Sequence, residues 1–180
     1  MKTFAIVLLL LISTARADAT VFLPGDLGDL SRDAYAIARG RIVSVEARWT
    51  TPARRSIETI VTMETGAWLK RDLGGTVQFR VPGGRLGRYR NVVIGAPALA
   101  PGQQVIVFLG AAPPALPYIL GMSQGVFRLA PGAGGWIVTP PAVMPTTGPP
   151  VKVVRGDPAR RPLPLADFER RVKALVREEK

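Results

Sequence analysis

Ile57-Glu58-Thr59-Ile60-Val61-Thr62-Met63-Glu64-Thr65 repeats with a period of two: Ile57, Thr59, Val61 and Met63 fall on one side, and Glu58, Ile60, Thr62 and Glu64 on the other. Successive side chains of a strand point to opposite faces, so this spacing predicts a strand with one wetter face. Thr76 to Val81 repeats the pattern, with Val77, Phe79 and Val81 inward and Gln78 and Arg80 outward. Lys70 to Gly75, charged and glycine-bearing, is the turn between them.

Outward from this pair, further β patterning appears on both sides. Arg41 to Trp49 places Val43, Val45 and Ala47 on one face and Ser44 and Glu46 on the other, and Thr50 to Arg55 reads as the hairpin loop that follows. Pro82-Gly83-Gly84 ends the Val81 strand, and a basic loop runs to Asn91. Val92 to Ile94 suggests a short strand. Val105 to Leu109 is wholly apolar and suits a central strand, while Tyr118 to Leu120, Val126 to Leu129 and Trp136 to Val138 are shorter ones. Many short strands punctuated by Pro and Gly predict a mainly β fold, either a small antiparallel barrel or a sandwich.

Two helices complete this expectation. Leu27, Leu30, Ala34 and Ile37 recur at helical spacing within Asp26 to Ala38, with Ser31 and Asp33 as a start signal. Leu165, Phe168, Val172, Leu175 and Val176 form an apolar stripe near the C-terminus, with Asp167 and Glu169 early and Lys173 and Arg177 late, as a helix dipole favours. Such a basic amphipathic helix either packs on its own domain or lies on a membrane surface.

The N-terminus reads as a removable export signal. Lys2 precedes the uncharged run Phe4 to Ile12, which is too short to span a bilayer, and small residues at Ala15, Ala17 and Ala19 permit cleavage after Ala17 or Ala19. The expected organisation is therefore a signal peptide over residues 1–19, a β-rich domain over 20–139, a proline-rich strap or linker over 140–164 and a helix over 165–178. The expected location is periplasmic or secreted, with no transmembrane segment in the mature form.

Composition narrows the chemistry. The chain has no cysteine and no histidine, which removes disulfides, thiolate and imidazole metal sites, cysteine nucleophiles and the Ser-His-Asp arrangement. No serine opens a Ser-x-x-Lys motif or sits in a Gly-x-Ser-x-Gly elbow. Glu58 and Glu64 share one strand face but stand roughly 20 Å apart, too far for one glycosidic bond. The glycines of Gly83-Gly84-Arg85-Leu86-Gly87 lack the spacing of a phosphate-binding loop. Asp26, Asp29 and Asp33 do not follow the EF-hand pattern and read as caps and surface charges. The reading is a non-enzyme without cofactor or metal.

Charge points to the partner. The chain carries 24 basic and 13 acidic residues; losing residues 1–19 removes Lys2, Arg16 and Asp18 and leaves a net charge of +10. Export excludes genomic nucleic acid as the natural partner, so the basic surface directs attention to cell-envelope proteins, anionic glycans or lipid headgroups. The densest local candidate is Arg80 to Asn91, where Arg80, Arg85, Arg88 and Arg90 interleave with Tyr89. Arginine offers a planar fork to carboxylate, sulfate or phosphate, and tyrosine a stacking face. Arg54 and Arg55 join this set if their loop lies at the same end of the body. The alternative is a solvated loop whose arginines pair with Asp72 or Glu58. The expected function is an exported, non-catalytic binding or scaffolding domain; an assembly component acting by strand addition and a carboxylate-dependent hydrolase are the other readings.

Ala38-Arg39-Gly40-Arg41-Ile42-Val43-Ser44-Val45-Glu46, Val61-Thr62-Met63-Glu64 with Trp68-Leu69-Lys70, Gly83-Gly84 and Pro101 to Leu109 together resemble a group of uncharacterised exported bacterial β-domain proteins. The pattern is also distantly similar to the netrin/tissue-inhibitor type of OB-fold barrel. That resemblance implies an OB-like barrel. Inhibitors of that fold use an N-terminal cysteine and disulfides, so their metalloprotease inhibition is not implied for a cysteine-free chain.

Overall fold

A computed structural model describes residues 26–141 and 161–178. The expected export signal, and most of the expected strap over 140–164, lie outside the described residues. Elements follow in the order α1 (Leu27–Asp33), β1 (Ala36–Trp49), β2 (Ile57–Lys70), β3 (Thr76–Pro82), β4 (Gly84–Leu86), β5 (Tyr89–Asn91), β6 (Gln104–Ala112), β7 (Ala115–Ile119), β8 (Val126–Gly132), β9 (Gly135–Thr139), β10 (Leu163–Pro164) and α2 (Leu165–Arg177).

Eight strands form one main sheet in the order β1-β2-β3-β7-β6-β8-β9-β10, and β4 and β5 form a separate hairpin. β1 carries β2 along its whole length and also pairs with β6 over Ala36 to Arg41. β3 and β7 run parallel through Arg80 and Tyr118, while the other pairings are antiparallel. This corrects the expectation of a small antiparallel, OB-like barrel or a sandwich. The sheet is a mixed, non-barrel one, extended by β8, β9 and β10, and the cause is the long-range placement of β7 between β3 and β6, which no local period encodes.

The strand alternation holds from Val61 to Glu64 and from Thr76 to Val81, whereas Ile60, expected on the wetter face, is buried. Val61, Met63, Val77, Phe79 and Val81 are buried together, and Gln78 and Glu64 are exposed. β6 buries both faces: Val105, Val107 and Leu109 enter the inner core, and Ile106 and Phe108 a second cluster beneath the helices. A run without polar alternation is the signature of such a strand.

Three local expectations change. The N-terminal helix ends at Asp33, and Ile37 belongs to β1, where it is fully buried. Val43 is exposed, because a register shift between Ile42 and Ser44 turns it out of the face that Val45 and Ala47 share. An extra residue in one strand produces such a turn. Val92 to Ile94 forms no strand, and Val92 and Ile94 face solvent.

α2 packs on the domain rather than standing free. Phe168 and Val172 are buried against Leu27, Leu30 and Phe127. Arg39 Nε donates to Glu169 Oε1 at 2.8 Å, fixing the helix to β1. Among the described residues no helix is long and apolar enough to cross a membrane.

Candidate functional site

The hairpin β4–β5 sits over one end of the inner core, and its base explains how. Gly83 and Gly84 have φ values of +83° and +145°, conformations open to glycine but strained for other residues. A Cβ on Gly84 would stand 2.5 Å from Thr59 Oγ1, so only glycine lets this strand approach β2 so closely. Thr59 Oγ1 donates to the Gly83 carbonyl at 2.7 Å, and Gly83 N–H to the Ile57 carbonyl at 3.0 Å. Pro82-Gly83-Gly84 is thus the anchored root of a short flap.

Beneath the flap lies a cavity of about 430 Å³. Val45, Ala47, Val61 and Val81 form its sheet side, and Val93 and Leu99 belong to the facing loop. Arg85 and Arg90 line it from the hairpin. They are direct cross-strand partners, so their side chains leave the same face of the two-stranded ribbon. Arg85 Nε makes a long contact of 3.4 Å to the Gly87 carbonyl, and among the described residues neither arginine has a carboxylate partner. Two like charges placed opposite each other are unfavourable unless an anion lies between them.

The other expected residues divide. Arg80 is half-buried and engaged: it donates to the Leu116 carbonyl at 3.1 Å and lies 3.8 Å from Glu58. It belongs to the sheet's own polar network, with Arg48 on the other Glu58 oxygen at 2.9 Å. Tyr89 does not line the cavity. Its ring meets the edge of Trp49 at 5.3 Å, and Arg88 lies over it at 5.1 Å while donating to its hydroxyl. Tyr89 thereby ties the flap to β1. Arg54 and Arg55 are exposed in the β1–β2 loop, and neither side chain makes a hydrogen bond or ion pair to the hairpin. Asp72 accepts the Gly74 N–H at 2.7 Å, and among the described residues no ion pair joins it to these arginines.

Residues outside the basic stretch complete the site. The sequence marks Val45 and Ala47 only as strand residues and Val93 only as part of a short strand; together they line the space beside the two arginines. The local signal is the small Ala47, whose Cβ stands 3.3 Å from where a Cβ on Gly84 would lie. Among the described residues no group of three or more carboxylate, imidazole or thiol side chains is arranged to hold a metal ion. Comparison with family models, curated proteins and solved structures finds no match to this chain.

Proposed function

We propose that this chain is an exported, non-catalytic binding domain of the bacterial cell envelope, acting in the periplasm or outside the cell after loss of residues 1–19. Its binding site is the cavity beneath β4–β5, where an anionic group of the ligand is held between Arg85 and Arg90. The observation that carries this reading is their direct opposition at the cavity without a carboxylate between them. A ribbon that places two guanidinium groups side by side spends stability to create a local positive field. An anion bound there recovers that energy through charge-assisted, forked hydrogen bonds.

Nuclear magnetic resonance of the protein purified from the periplasm of an expression host tests this directly, with inorganic phosphate as the probe. Titration is expected to move the amide signals of residues 83–91 first and to saturate, and R85Q/R90Q is expected to abolish the effect. R54Q/R55Q removes the same net charge and is expected to leave it intact. Equal loss in the two double variants would mean that general basicity, not this site, attracts the anion.

A further inference from the structure

We infer that the ligand of this cavity is a single-chain amphiphile with an oxyanion head, carboxylate or phosphate, and an unbranched apolar body; this rests on the binding reading above. The lining separates the two halves of such a molecule. The sheet side offers Val45, Ala47, Val61 and Val81, and the facing loop offers Val93 and Leu99. The arginines are confined to the hairpin.

Neutral polar side chains are scarce in this lining. Thr59 and Asn91 are the two, and the Thr59 proton is already donated to Gly83. A polyhydroxylated ring placed against Val45, Ala47, Val61 and Val81 would find few side-chain partners there. Tyr89, the stacking face such a ring would use, is turned to Trp49 and Arg88 instead. An anionic glycan is therefore matched by charge at the mouth and not by the apolar side chains of the sheet side. An apolar chain needs no partners there and gains from leaving water.

Size agrees. About 430 Å³ of open cleft lies in the range of small-ligand pockets, and is well short of a two-chain lipid. The occupant is accordingly a free amphiphile drawn beneath the flap, not a bilayer surface. The arginine fork accepts either head, since carboxylate and phosphate both present paired oxygens.

Isothermal titration with dodecanoate and dodecyl phosphate below their micelle concentrations, beside acetate, inorganic phosphate, decanol and an oligogalacturonate, tests the inference. Each buried methylene is worth about a fourfold gain, so dodecanoate is expected to bind at least about a hundredfold more tightly than acetate. Ala47→Leu, which narrows the cavity, is expected to weaken dodecanoate about tenfold and inorganic phosphate far less. Ala98→Trp, at an exposed lining position, gives the same test should Ala47→Leu perturb folding. R85Q/R90Q is expected to lose both probes.

Dodecanoate binding no better than acetate, with phosphate still moving residues 83–91, would overturn the amphiphile and leave the anion site standing. Absence of both responses would remove the binding reading itself. Oligogalacturonate equal to dodecanoate would overturn the apolar body, and binding to phosphatidylglycerol vesicles that survives Ala47→Leu would replace the free amphiphile with a membrane surface.

Discussion

The two apolar regions of this domain are closed in different ways. Beneath α2 the sheet meets aromatic side chains: Phe108, Phe127 and Phe168 stack in sequence at ring separations of 5.5 and 4.8 Å, and Val172 is fully buried beside them. Beneath β4–β5 the cover is a short two-stranded ribbon rooted on two glycines, beside an open cleft of about 430 Å³. A core that only had to be stable would be packed to uniform density. The contrast teaches that stability is concentrated under the helix, and that the hairpin end gives up packing for space and charge.

Truncating one apolar side chain in each region puts the contrast to its strongest test. Phe168→Ala is expected to cost about 3–5 kcal/mol, because its ring joins a closed cluster that cannot collapse around the gap. Val93→Ala borders space that is already open and is expected to cost about 1 kcal/mol or less. Denaturant unfolding measures both, and equal losses would abolish the distinction. Next in size is the flap's root. Gly84→Val forces a side chain into φ +145° and against Thr59 and Ala47, with an expected loss of about 2 kcal/mol. That loss should appear with displaced amide signals in β4–β5 and an undisturbed α2. Glu169→Ala, on the packed side, breaks the partly buried ion pair with Arg39 and is expected to cost about 1.5 kcal/mol without altering anion binding at the hairpin.

The sequence disclosed these regions unequally, for physical reasons. Strand periods are local, so Ile57 to Thr65 and Thr76 to Val81 could be read residue by residue. The stripe of α2 is local too, although its partners Leu27 and Phe127 are not. The mixed sheet was illegible, because the parallel contact of Arg80 with Tyr118 joins segments 38 positions apart in the chain. The outward turn of Val43 depends on a register shift that only the partner strand reveals. At the site, composition marked the basic stretch but ranked its arginines alike. Pairing separates them: Arg80 is absorbed by Glu58, Arg88 by Tyr89, and Arg85 and Arg90 remain opposed. The cavity itself had no sequence signature, since it is the space left between β1, β2, β3 and a loop that meets them only in the fold.

The smallest expected effect has an unusual sign. Arg85→Gln removes one of two opposed charges on an exposed ribbon and keeps a side chain of similar reach. Cross-strand charge pairs are worth roughly 0.2–1 kcal/mol, so relief of this repulsion is expected to raise stability by a few tenths of a kcal/mol while anion affinity falls. Salt separates this cause from a change in packing. At about 1 M ionic strength the screening length drops to about 3 Å, and the stability gain should vanish while the affinity difference between variant and parent narrows. Unfolding midpoints at low and high salt, taken beside phosphate titrations, supply both readings. A gain that persists in high salt would mean that Arg85 strains the ribbon sterically, and the opposed pair would then be a consequence of the turn, not a device for holding an anion.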